Sequence, residues 1–168
     1  MAAQSGRGDD DNVATSIGES RAPNAARHPM HPLLFHPLYR RYLWGGRGFA
    51  TLFGRDLPAG NDFAESWEVV DRADDRSVVA AGPLAGHSLG ELVATRGKEL
   101  LGRHAGLATY PLLFKFLDAH SDLSVQVHPD DARAARLTPP DKGKTEAWYV
   151  IDAAPGARLW AGLRPGTD

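Results

Sequence analysis

The chain changes character near residue 32. Residues 1–30 carry few large apolar side chains and no periodicity, so a leader spanning 1–31 is expected to be disordered. Beyond it, short apolar runs alternate with polar positions and are broken by glycine and proline. Ala64 to Val70 (AESWEVV) and Ser77 to Ala81 alternate as half-buried strands do. Ser88-Leu89-Gly90-Glu91 fits a capping box, and Leu89, Leu92 and Val93 supply the apolar face of the helix it starts. That helix should end near Gly97, with a further turn over Glu99 to Arg103. Four more strands are predicted, at Leu112–Leu117, Leu123–His128, Thr145–Ile151 and Arg158–Leu163. A short helix is predicted over Asp130–Leu137, with Asp130 as its N-cap. Many short strands among 18 Gly and 12 Pro point to a mainly β fold, a barrel or jelly roll with short helical additions, over residues 32–168.

Composition narrows the functions open to it. A chain of 168 residues, 42% hydrophobic and 24% charged, suits one soluble domain with a real core. A formal net charge of −2 with no basic run gives no reason to expect nucleic acid. No apolar stretch reaches membrane-span length, and the first residues lack a secretory apolar core, so the expected setting is cytoplasmic. Without cysteine there is neither a disulfide framework nor a thiolate metal site. The tripeptide Arg7-Gly8-Asp9 reads as part of a solvated tail. His28, His31 and His36 each precede a proline; their segment is extended and does not preset ligands on one face.

The stretch Leu123 to Pro129 (LSVQVHP) is the most informative. On a strand, Leu123, Val125 and Val127 would face a core, while Ser124, Gln126 and His128 would line the opposite face. An amide oxygen and an imidazole two residues apart can begin a metal site, and Glu146 on a neighbouring antiparallel strand could complete it. One nitrogen and two oxygens suit zinc, with manganese or cobalt acceptable. The same residues equally describe a solvent-facing pair and a solvated edge carboxylate, and spacing alone leaves both readings open. Lys115 interrupts the apolar run Leu112 to Leu117, which places it at a sheet edge or facing a polar cavity. Lys144 is either a loop-tip charge or, with Lys115 and the metal, part of a positive pocket for an anionic sugar phosphate.

The runs PLLFKFLDAHSDLSVQVHPDD and GKTEAWYVIDAAPGARLWAGL, with HPLYRRYLWGGRGFATLFGRDLP and AESWEVV upstream, resemble the type I mannose-6-phosphate isomerases, a family of the cupin superfamily. The pairing of QVHPD with GKTE is the specific part. The resemblance implies a cupin-type jelly-roll barrel and an enzyme that interconverts mannose 6-phosphate and fructose 6-phosphate through an enediol, using one zinc ion. It implies Gln126, His128 and Glu146 as metal ligands, and Lys144 as a catalytic group that shuttles protons or supplies electrostatic support. Lys115, Ser124, Trp44 and Glu65 are implied to bind substrate. Read from the residues alone, Trp44 before Gly45-Gly46 is a packed aromatic beside a tight turn, and Glu65 a surface acid.

Members of the family continue well past the point matching Asp168, where they provide a further His ligand, basic residues and closing strands. No His follows His128 here. The expected barrel is therefore incomplete at its C-terminus, with unclosed edges through which copies could self-associate. Two functions follow: an isomerase, or a truncated, non-catalytic cupin module that binds metal or sugar phosphate without turnover.

Overall fold

A computed structural model describes residues 28–166. The expected leader lies outside the described residues as far as residue 27, as does the Arg7-Gly8-Asp9 tripeptide. The chain divides into two compact units, Met1–Leu123 and Ser124–Asp168.

The first unit is built on a three-stranded antiparallel sheet in the order β1 (Leu38–Gly46), β2 (Phe63–Val69), β3 (Phe114–Leu117). Tyr39, Ser66 and Phe116 stand opposite one another on one face. That face packs with Phe49, Leu57 and Phe63 into an aromatic core, in which Tyr39 meets Phe63 edge-on at 5.7 Å between ring centroids. Phe49 comes from the short helix α1 (Gly48–Phe53). Ser66 is fully buried, and its hydroxyl is satisfied by the Arg55 guanidinium (2.6 Å) and the Glu68 carboxylate (2.6 Å). The opposite face presents Arg40, Glu65, Trp67 and Lys115, a polar row.

Trp44, Gly45 and Gly46 lie within β1, which corrects the expectation of a tight turn there. A β-carbon on Gly45 would fall 2.5 Å from the Ala64 backbone nitrogen, so glycine is required by the close approach of β1 to β2. Gly46 and Gly48 leave room instead for the Asp118 carboxylate, which accepts from the Gly48 N–H at 2.5 Å. A half-buried acceptor just after β3 thereby satisfies one of the free N–H groups that open α1.

A second core forms where Leu92 of α2 (Leu89–Leu101) meets Val79 and Leu84, with Met30, Leu33, Phe35 and Leu100 around them. The capping box is present: the Ser88 hydroxyl accepts from the Glu91 N–H (3.2 Å) and the Glu91 carboxylate from the Ser88 N–H (2.8 Å). The helix does not stop at Gly97. It kinks at Arg96 (φ −136°, ψ 24°), runs on to Leu101 and closes in a 3-10 turn over Gly102–His104. The strand expected at Ser77 to Ala81 is reduced to single bridges, Phe35 with Val79 and Val78 with Ser88. Its neighbours there are an extended entry segment and a helix cap, each offering only a rung or two of ladder.

In the second unit, α3 (Asp131–Ala134) begins as expected, with the Asp130 carboxylate accepting from the Arg133 N–H at 2.8 Å. The strands expected at Leu123–His128, Thr145–Ile151 and Arg158–Leu163 are absent: none of these stretches is paired in a sheet. Val125 is 100% exposed and Val127 87%, so the apolar half of that alternation covers no core. Alternation fixes which face each side chain takes, but a strand exists only where a neighbour completes its backbone hydrogen bonds. In coarse terms the fold is a small antiparallel sheet with a few short helices. No helix among the described residues is long and apolar enough to cross a membrane.

Two expectations follow. Gly45→Ala drives a β-carbon into backbone that cannot swing aside, and should lower stability by about 2 kcal/mol or more in chemical denaturation. Gly106→Ala, which meets nothing within 4 Å, should stay near wild type in the same measurement. The Glu91 carboxyl lies below its ordinary value of 4.5, chiefly because the Ser88 N–H donates to it; burial opposes this, and the Ser88 hydroxyl and His87 add to it. A lowered folded value contributes stability above the ordinary carboxylate range and loses it as pH falls through the folded value. The melting-temperature gap between wild type and Glu91→Gln should therefore be present at about pH 7 and close toward about pH 3.

Candidate functional site

In the second unit two segments are pinned side by side at the start of α3. The Lys144 N–H donates to the Pro129 carbonyl (3.0 Å) and the Gly143 N–H to the Asp131 carboxylate (2.8 Å). A β-carbon at Gly143 would press against the Asp131 backbone nitrogen at 2.8 Å, so the close approach requires glycine. This lock brings Gln126, His128, Lys144 and Glu146 together without any β ladder. His128 Nε2 lies 2.8 Å from Glu146 Oε2, and Lys144 Nζ lies 2.6 Å from Gln126 Oε1 and 3.2 Å from Glu146 Oε1. Trp148 Nε1 donates to Glu146 Oε2 at 3.2 Å.

Glu146 is the centre of this arrangement. A carboxylate can only accept, so His128 Nε2 must carry the proton in their shared bond. Burial opposes ionisation of Glu146, but hydrogen bonds from His128, Trp148 and Lys144, with the charge of Lys144, outweigh it and bring the carboxyl down to about 2. Among the described residues no three His, Cys, Asp or Glu side chains converge as a metal set. Gln126, His128 and Glu146 would number three candidate ligands only by counting the Gln126 amide. An imidazole nitrogen, an amide oxygen and a carboxylate oxygen suit a borderline divalent cation. The ammonium held on the Gln126 and Glu146 oxygens shows that lone pairs of these two already converge on positive charge; the residue types fit a metal, which His128 would join only through a ring nitrogen that carries no proton. Ser124, expected behind this row, is exposed and makes none of these contacts.

In the first unit the polar face of the sheet carries a second cluster. Glu65 is 6% exposed, which corrects its reading as a surface acid. Its carboxylate accepts from Lys115 Nζ at 3.0 Å and from Trp67 Nε1 at 2.6 Å. Lys115 sits on the edge strand β3, opposite Trp67, and so reaches Glu65 diagonally across the sheet. Arg40 lies over the Trp67 ring at 4.4 Å and pairs with Asp75. Trp44 is half-buried, stacks on Tyr42 with centroids 5.6 Å apart, and accepts through its carbonyl from the His120 N–H at 2.9 Å. These contacts fit its reading as a packed aromatic.

Two tryptophans that sequence reasoning left without a role, Trp67 and Trp148, each donate to the glutamate two positions earlier. The signal was visible: Glu-x-Trp occurs as Glu65-Ser66-Trp67 and as Glu146-Ala147-Trp148, and a lysine salt-bridges the glutamate each time. Arg40 and Asp118 carried no such signal, because their partners are remote in sequence.

Residues 33–150 match the family model for the phosphomannose isomerase type I catalytic domain. The chain belongs to this family. Among curated relatives, the probable mannose-6-phosphate isomerase GmuF of Bacillus subtilis is 42% identical over 137 residues, covering 82% of this chain and 42% of that protein. Mannose-6-phosphate isomerase ManA of the same organism is 39% identical over 128 residues, covering 76% and 39%. The crystal structure of a mannose 6-phosphate isomerase from Bacillus subtilis superposes with a TM-score of 0.68 at 34% identity, over 74% of this chain and 39% of that one. The chain thus spans about two fifths of the length of the curated phosphomannose isomerases it matches.

Lys115→Met would leave the Glu65 carboxylate buried with the indole as its remaining donor. It should cost about 1–3 kcal/mol in chemical denaturation. Glu65→Gln combined with Lys115→Met should recover part of that loss, since no buried charge is then left unpaired.

Proposed function

We propose that this chain forms the metal-binding part of an aldose–ketose isomerase that interconverts mannose 6-phosphate and fructose 6-phosphate. Its support is the family membership together with one observation: Glu146 is held by His128 on one oxygen and, on the other, by an ammonium that also takes the Gln126 amide oxygen. Gln126 Oε1, the His128 imidazole and the Glu146 carboxylate would hold one divalent ion, with zinc the best match to the donor set. When bound, such an ion supplies electrophilic stabilisation of negative charge developing on sugar oxygens.

The reaction moves a proton between neighbouring carbons through an enediol. That demands a base at the carbon beside the carbonyl and a donor at the oxygens. Lys144, the ammonium nearest the ligands, either passes a proton between those oxygens or steadies their charge. Lys115, held by Glu65, is proposed to meet a hydroxyl or phosphate oxygen of the substrate; Ser124 offers a hydroxyl for the same purpose. Glu65 fixes the Lys115 ammonium, and Trp44 gives a flat apolar wall of the kind that sugar rings stack on.

The fold proposed for the complete domain is a cupin-type jelly roll comprising residues 32–168 and further strands. The apolar positions Val125, Val127, Tyr149 and Val150 support this, because they are exposed in stretches whose alternation suits a paired, covered strand. The same uncovered positions would let copies of the chain associate, a property that sedimentation over a concentration series would read.

The test is direct. Purified chain should bind about one equivalent of zinc, and His128→Ala or Glu146→Gln should weaken that binding by roughly tenfold or more. Incubation with zinc and mannose 6-phosphate should yield fructose 6-phosphate. Zinc bound without turnover would replace the isomerase reading, for these 168 residues, with that of a binding module. No zinc bound would sink the metal centre itself.

A further inference from the structure

We infer that Lys144 is a tethered rival of the metal: its ammonium occupies the cation position between Gln126 and Glu146, and a divalent ion must expel it to bind. The inference rests on the proposed metal ligands and adds what holds their place before the ion arrives.

The two oxygens of Glu146 are divided between different partners. Oε2 accepts from the His128 ring and the Trp148 indole, whereas Oε1 faces Lys144. Lys144 also takes Gln126 Oε1 at 2.6 Å, the shorter of its two contacts. A single ammonium therefore bridges two of the three proposed ligands. An incoming ion needs those lone pairs, and a bound dication within a few ångströms of an ammonium suffers strong repulsion even beside solvent. The two cations therefore compete for the same two oxygens, with their mutual repulsion as the reason.

The backbone keeps the lysine in place while leaving its side chain free to move. Its N–H is fixed to the Pro129 carbonyl at 3.0 Å, so the Cα stays beside the ligands. Its side chain is 37% exposed, so the ammonium has a path into water. The tethered charge has a structural use in the absence of metal. It keeps the amide and the carboxylate turned toward one point, so the ligands are pre-arranged for a cation. Metal loading then does two things at once: it fills the centre and releases an ammonium beside it, which becomes available to an anionic sugar.

The experiment measures zinc affinity by competition with a chromogenic chelator, on the full chain and on Lys144→Met, Lys144→Gln and Lys144→Arg. Removing the charge should tighten zinc binding by roughly tenfold or more in the Met and Gln variants. Arg, which keeps the charge, should stay near wild type. Equal affinity across all four proteins, or weaker binding by Met and Gln, overturns the rivalry while leaving the metal centre intact. Failure of every protein to bind zinc overturns the metal centre and this inference with it. Lys144 is half-exposed, and circular dichroism of each variant confirms that the affinities compare folded chains.

Discussion

A carboxylate accepts hydrogen bonds and cannot donate them, and much of the candidate site follows from that constraint at Glu146. Every group that approaches it must bring a proton or a positive charge. His128, Trp148 and Lys144 do so from three directions, and together they hold the carboxyl ionised at about 2 despite partial burial. A group fixed in this way is a permanent negative point with preset lone pairs, which is what a divalent ion requires of a ligand. Gln126 joins through the same ammonium, so one lysine couples an amide and a carboxylate that are 20 residues apart.

The same logic recurs in the first unit at Glu65. It too is bound by a tryptophan two positions later and by a lysine, in this case one remote in sequence, on the polar face of a sheet whose other face is the aromatic core. The sheet makes this possible by its period of two. Ser66 and Phe116 turn into the packed layer, and Glu65, Trp67 and Lys115 are left on the other side with one another as partners. Burying a glutamate beside apolar layers is costly unless both its oxygens are engaged, and here both are. The glycines of the Trp44–Gly48 segment serve this architecture: Gly45 lets β1 approach β2, while Gly46 and Gly48 admit the carboxylate of Asp118.

Membership of the type I phosphomannose isomerases gives these clusters a chemical context without assigning their roles. The sugar-phosphate isomerisation proposed for the chain would need a centre that steadies negative charge on oxygen and cations that receive an anionic substrate. Each unit supplies a lysine already held by a glutamate, and the second unit adds an imidazole and an amide.

Local chemistry was legible in the sequence wherever a few adjacent residues settle it. The capping box of α2 and the N-cap at Asp130 are of this kind, because each depends on contacts within a few positions. The candidate residues Gln126, His128 and Glu146 were nameable for a different reason, the resemblance of QVHPD and GKTE to a family's motifs. Tertiary structure alone decided the rest. It moved Gly45 from a turn into a strand contact, buried Glu65, and carried the helix past Gly97 as a kink at Arg96. It also assembled the Gln126–Glu146 cluster through a lock between residues 129–131 and 143–144 instead of a ladder. Alternation tells each side chain which way it would turn in a strand. Whether there is a strand depends on a hydrogen-bonding neighbour that no local pattern can provide.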